Sequence, residues 1–180
     1  VYSSLNPLSL VACGSIAPGL NSTNFPPYLH HLARAALALA LDDLHRTLLD
    51  PDGLPILKYY AANAWAGYDV GWLYAWIAVP PQFTSDASRR LQALFHSTLR
   101  DLANSPALPA ARARAIFDAQ LALHSRNTLF DLIIQNYLFG YDKRLPLSYQ
   151  TYLTNISPPQ LSTFYSLYAR FPVTIIVTPQ

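Results

Sequence analysis

The 180-residue chain is 52% hydrophobic and only 12% charged, with a formal net charge of +2. All ten acidic residues are Asp; without a single Glu, the chain holds no His-Glu-x-x-His or His-x-x-Glu-His helix, in which Glu is the general base on a zinc-bound water. Its ten Arg and two Lys are spread along the sequence without a basic run or a basic-aromatic platform, which argues against nucleic acid as a partner.

In chain order, residues 8 to 17 read as a strand ended by Pro18-Gly19, and a polar stretch, Asn21 to Pro27, leads into a helix from Tyr28 to Leu49. Asp50-Pro51-Asp52-Gly53 predicts a turn, because Pro fixes φ and Gly supplies φ > 0. Leu57 to Ala66 and Val70 to Val79 are β-rich runs around Gly67-Tyr68-Asp69, and Pro80-Pro81 stops the second; this is the pattern of an antiparallel hairpin. From Ser85 to Asn104, apolar groups at Ala87, Leu91, Leu94, Phe95, Leu99 and Leu102 share one helical face, with Ser85 the expected N-cap. A helix after the Ser105–Pro109 break to about Arg126, another over Thr128–Tyr137, and short ones over Ser148–Leu153 and Pro159–Tyr168 follow. Pro172 to Thr178 is β-branched and reads as a buried closing strand.

This order predicts an α+β fold, one antiparallel-rich sheet of about four strands with helices packed on one face, residues 1–180 forming a single domain. So few charges leave too little polar surface for a fully solvated monomer, so a second domain or subunit is expected to cover part of it. No apolar run reaches the ~18 residues of a membrane span. The sequence lacks an initiator Met, so the chain is expected to begin after processing or to be a piece of something longer.

Few residues offer chemistry. Cys13 is single and lies in an apolar stretch, as a buried, inert thiol would. Asn21-Ser22-Thr23 is a glycosylation acceptor only in a secreted chain. His31 and His45 sit 14 positions apart in one predicted helix, about 21 Å along its axis, too far to share a metal. Adjacent His30 and His31 point to different sides, and His96 and His124 stand alone. Asp42-Asp43 are placed to pair with Arg46 one turn on. Neither a nucleophile elbow nor a phosphate loop is present, and no catalytic residue is assigned. The aromatic set Tyr59, Tyr60, Trp65, Tyr68, Trp72, Tyr74 and Trp76 is denser. Strand alternation puts Trp72, Tyr74 and Trp76 on one face and Leu73 and Ala75 on the other. That aromatic face is either packed under helices or a partner domain, or it is a wall for an extended peptide.

From Ser9 to Pro179 the sequence resembles the zinc-free domain of the M16 metallopeptidases. The resemblance rests on the ordered set of Ala17-Pro18-Gly19 ending the first strand, Leu57-Lys58-Tyr59, Val70-Gly71-Trp72-Leu73-Tyr74-Ala75-Trp76-Ile77 leading to Pro80-Pro81, Tyr152 to Leu161, Phe164-Tyr165 and the Val/Ile-rich closing strand before Pro179. It implies a non-catalytic domain of a zinc metalloendopeptidase, similar to the PQQ-biosynthesis type, that pairs with another M16-like domain or subunit around a peptide chamber. The alternative it implies is a catalytically inactive core subunit of a larger assembly such as a respiratory complex. On this resemblance the chain holds no cofactor, zinc is expected in a partner domain, and Tyr59, Trp72, Tyr74 and Trp76 are the candidate contacts to a peptide substrate. Some members carry an Arg and a Tyr seven residues apart in this domain; here Tyr59 takes the Tyr position but Asp52 stands where the Arg would be, and Arg46 substitutes only if the loop folds back. A bacterial cytoplasmic or periplasmic setting, or a mitochondrial one, goes with it.

Overall fold

The computed structural model describes residues 7–19, 28–67, 69–138 and 148–179. Its sheet has four strands: β1 (Ser9–Pro18), β2 (Tyr59–Ala66), β3 (Val70–Val79) and β4 (Val173–Val177), in the spatial order β2-β3-β1-β4 with every neighbour antiparallel. The expected hairpin is β2-β3. The N-terminal strand then fits on the far side of β3, and the C-terminal strand closes the sheet on β1. The acceptor at Asn21 and the ring of Tyr68 lie outside the described residues.

Alternation decides which face meets the helices. Val11 and Cys13 of β1, Leu73, Ala75, Ile77 and Val79 of β3, and Ala62 of β2 point inward and are buried. Two long helices cover them: α1 (Tyr28–Thr47) over β2 and β3, and α2 (Thr84–Asp101) over β1 and β3. The core they share includes Leu32, Leu37 and Leu41 of α1 and Leu91, Phe95 and Leu99 of α2, all nearly or fully buried. A further layer, α3 (Leu108–His124), lies on α1 through the buried small residues Ala111 and Ala115, which let the helix axes approach closely. α4 (Arg126–Leu138), α5 (Tyr149–Asn155) and α6 (Pro158–Phe164) complete the helical side.

Local chemistry sets the boundaries. α1 ends at Thr47, two residues before the predicted Leu49, which instead bridges to Pro55 across the loop. In that loop Asp50 Oδ1 accepts from the N–H of Asp52 at 3.0 Å and of Leu54 at 2.8 Å, and Gly53 takes φ 77°. Ser85 is not the N-cap of α2: a 3-10 turn, Pro81–Phe83, feeds the helix directly, so Phe83 stands at the cap and Ser85 falls in the first turn. Ser125 is extended and separates α3 from α4. At α6 the N–H of Ser157 donates to Gln160 Oε1 at 2.9 Å, half of a capping box, and a π-helical turn over Tyr165–Ala169 follows the helix. In that turn Tyr165 Oη lies 2.8 Å from His96 Nδ1 of α2.

A further expectation fails: β4 is not a buried strand. Val173, Ile175, Ile176 and Val177 are 48–66% exposed. The β-branched run reads as two-sided burial, but β4 is an edge strand, paired with β1 alone, and both of its faces meet solvent.

Candidate functional site: the open face of the sheet

The face of the sheet turned away from the helices carries almost no polar group. Cross-strand register arranges its side chains in rows: Asn63, Tyr74, Gly14 and Val173 in one, Ala61, Trp76, Ala12 and Ile175 in the next, and Trp65, Trp72 and Ile16 on the other side. Trp72, Tyr74 and Trp76 share this face, as alternation predicts, while Leu73, Ala75 and Ile77 are fully buried on the other. Trp65 and Trp72 form a directly opposed cross-strand pair and are each about half exposed.

A hollow of about 660 Å³ opens over the middle of the sheet. Its floor is Ala12 and Gly14 of β1; Trp65, Trp72 and Tyr74 wall it on one side, and Val173 and Ile175 of β4 on the other. A smaller hollow of about 330 Å³ lies further along, between Leu10, Ala12, Tyr74 and Trp76, so Tyr74 separates the two. Trp72 and Tyr74 therefore belong to the larger hollow, and Trp76 shares the smaller with Tyr74. Tyr59 is on the same face but lines neither: it pairs with Ala78 at the far end of the sheet, six residues along β3 from Trp72, about 20 Å away.

Two glycines make room for this surface. A Cβ on Gly14 would stand 2.7 Å from Tyr74 Cβ and 3.1 Å from the carbonyl oxygen of Leu73. A Cβ on Gly67 would stand 2.6 Å from Cη2 of Trp65. Gly14 thus lowers the floor and seats Tyr74, and Gly67 seats the indole of Trp65 at the end of the hairpin. Sequence reasoning passed over Gly14, Val173 and Ile175. A glycine inside a strand is the signal that marks Gly14, since it so often accompanies a close approach of backbone or ligand.

Among the described residues the lining contains no carboxylate, imidazole, thiol or amine. Such a surface holds apolar and aromatic groups by area burial and stacking. The loop does not carry Arg46 to Tyr59. Its guanidinium donates to Asp43 Oδ1 at 2.8 Å, as expected from the helix spacing, and to the backbone carbonyl oxygen of Asp42 at 3.2 Å. Tyr60 points to the opposite face of β2 and tilts against His45 at 5.1 Å; burial, then a hydrogen bond with Asp42, pushes its hydroxyl up.

The titratable groups gather elsewhere. A polar cleft of about 290 Å³ is lined by His31 and Arg34 of α1, Asn63 and Ala64 of β2, Asp118 of α3 and Thr128 of α4. Arg34 bonds Asp118 at 2.7 Å, partly buried, and Arg114 reaches the same carboxylate at 3.2 Å. Burial, then the neighbouring Arg34, pushes His31 down to about 4. His30 is buried, its ring edge-on to Phe164. Burial pushes the Cys13 thiol up. Among the described residues no three His, Cys or Asp side chains are grouped to hold a metal ion, and no helix is long and apolar enough to cross a membrane.

No family model matches the sequence, and no curated protein matches it. Solved structures do match in fold. A peptidase M16 inactive domain from Pseudomonas fluorescens superposes with a TM-score of 0.72 at 7% identity, over 97% of this chain and 42% of that one. A protease from Helicobacter pylori gives 0.68 at 16% identity, over 99% and 43%. A chain of complex III2 from Candida albicans gives 0.69 at 15% identity, over 97% and 44%. The chain has the fold of the M16-type peptidase domains, a helix-rich α+β unit with an open four-stranded antiparallel sheet, and it spans less than half the length of these three chains.

Proposed function

We propose that this chain is a zinc-free domain of an M16-type metalloendopeptidase and that the open face of its sheet is part of the wall of a peptide-enclosing chamber. The observation that carries the reading is that face, with Trp65, Trp72 and Tyr74 beside the hollow over Gly14. An uncharged aromatic wall suits unfolded peptides of varied sequence, because aromatic and apolar contacts make few directional demands. A Glu-free chain supplies no general base of the zinc-peptidase kind, and its described residues do not fit a zinc ion. On this reading zinc and its ligands belong to a second M16-like domain, for which the matched chains have room beyond the part this chain spans.

The fold match to a chain of complex III2 supports a second reading, a structural core subunit without hydrolysis. Kinetics of the native assembly separate the two. Trp72→Ser is expected to raise KM for an unstructured fluorogenic peptide by about two- to tenfold, the value of one aromatic contact, with kcat and zinc content unchanged. Dissociation of the assembly by Trp72→Ser, or native material without peptidase activity, favours the structural subunit.

A further inference from the structure

We propose that the polar cleft between α1, α3, α4 and β2 is a binding site for a small organic carboxylate. It shares no lining residue with the hollow on the open face, and the inference stands independently of the peptide-wall reading. Where that hollow is apolar, the cleft brings together polar side chains from four elements: His31 and Arg34 of α1, Asn63 of β2, Asp118 of α3 and Thr128 of α4. A few convergent polar groups in a concave, otherwise apolar surface are what fixes the orientation of a small molecule.

Charge selects the ligand. Arg34 donates from Nη2 to one oxygen of Asp118 at 2.7 Å, and Arg114 reaches the other oxygen at 3.2 Å. Two guanidinium groups thus share a single negative charge, and one positive charge is left over. His31 adds none at neutral pH, because burial, then Arg34 and His30, outweigh Asp118 and lower it to about 4. Among the described residues the N–H groups on Nε and Nη1 of Arg34 donate to no protein acceptor, and the amide of Asn63 has no hydrogen-bond partner. The side chain of Arg34 is only 29% exposed, so water screens its charge less than at an open surface. A carboxylate matches the planar guanidinium with paired hydrogen bonds. Space sets the rest of the ligand. Ala64, Ala119 and Ala122 line the cleft with nothing beyond a Cβ, and Leu123 and Leu132 add apolar surface. The volume of about 290 Å³ has room for about ten non-hydrogen atoms at about 30 Å³ each. The fitting ligand is a compact monocarboxylate with a short apolar body; inorganic phosphate would leave the apolar lining uncovered.

The test is NMR titration of the isotope-labelled full chain with benzoate, benzamide and benzylamine, which share a ring and differ in charge. Benzoate is expected to bind saturably, with shifts at His31, Arg34, Asn63 and Ala122. Benzamide is expected to bind at least about fivefold more weakly, and benzylamine not at all. Asp118→Asn removes the competing negative charge but keeps an oxygen acceptor for the two arginines, and should tighten benzoate binding about three- to tenfold. Arg34→Gln should weaken it at least about tenfold. Ala122→Leu, which fills the space and leaves the charges in place, should abolish it. Unchanged amide shifts in β1 and β3 identify the variants that keep the fold. No saturable benzoate binding, equal binding of benzamide, tighter binding of benzylamine, or weaker benzoate binding by Asp118→Asn overturns the proposal. Shifts confined to Gly14, Trp65 and Trp72 overturn it in favour of the hollow on the open face.

Discussion

Gly14→Ala tests whether the hollow is built by close strand approach. The added Cβ would sit 2.7 Å from Tyr74 Cβ and 3.1 Å from the carbonyl oxygen of Leu73, both part of, or fixed to, the β3 backbone. Neither neighbour is the far end of a flexible side chain, so β1 and β3 must part by about 0.7 Å to reach the 3.4 Å of ordinary contact. Overpacking of this kind costs about 1–3 kcal/mol. Removing a glycine from a strand interior returns about 0.5–1 kcal/mol through the unfolded chain. The net expected loss is about 1–2 kcal/mol, read by urea unfolding as a lower midpoint with unchanged slope, or as a Tm about 3–6 °C lower. In a double-mutant cycle, Tyr74→Gly should couple to Gly14→Ala by about 1 kcal/mol, whereas Tyr74→Ala, which keeps the Cβ, should couple little. A Gly14→Ala chain as stable as the parent would refute the close approach.

Other expectations are independent of it. Phe95→Ala removes a fully buried ring between α2 and the sheet and should cost about 3–5 kcal/mol in the same unfolding assay. Gly67→Ala should displace the indole of Trp65; since all three tryptophans belong to β2 and β3 on the open face, a change in emission or acrylamide quenching reports that face alone. His31 is lowered from 6.5 to about 4, so the unfolded chain binds the extra proton first. Its contribution to stability is complete above about pH 6.5 and declines as pH falls toward 4, and His31→Gln should flatten that part of the pH-stability profile. Asp118→Ala leaves Arg34 and Arg114 without their shared carboxylate and should cost about 1 kcal/mol at low salt, less at high salt.

Much of the architecture was legible because it follows from periodicity and punctuation. Strand alternation placed Trp72 and Tyr74 opposite Leu73 and Ala75, and the Asp50–Gly53 turn folded as its residues dictate. The misreadings have a common cause. β4 looked buried because a Val-Thr-Ile-Ile-Val run has the same local pattern whether a sheet continues beyond it or stops there. Ser85 looked like a cap because Pro81–Phe83 gives no sequence sign of a 3-10 turn leading into the helix. The hollow was only half visible: its aromatic wall stands in one run of β3, but its floor and aliphatic wall come from β1 and β4, more than 150 residues apart in sequence and brought together by the strand order alone. Tyr59, chosen by resemblance, shares the face but is too far along the sheet to join that hollow.

The most direct measurement is peptide mapping of the native material together with its zinc content. The account predicts a His-x-x-Glu-His segment, in the same polypeptide or in a tightly bound partner, and about one zinc per assembled pair of domains. An intact native assembly with neither that segment nor zinc would contradict it, and would leave a scaffold subunit with the M16-type fold.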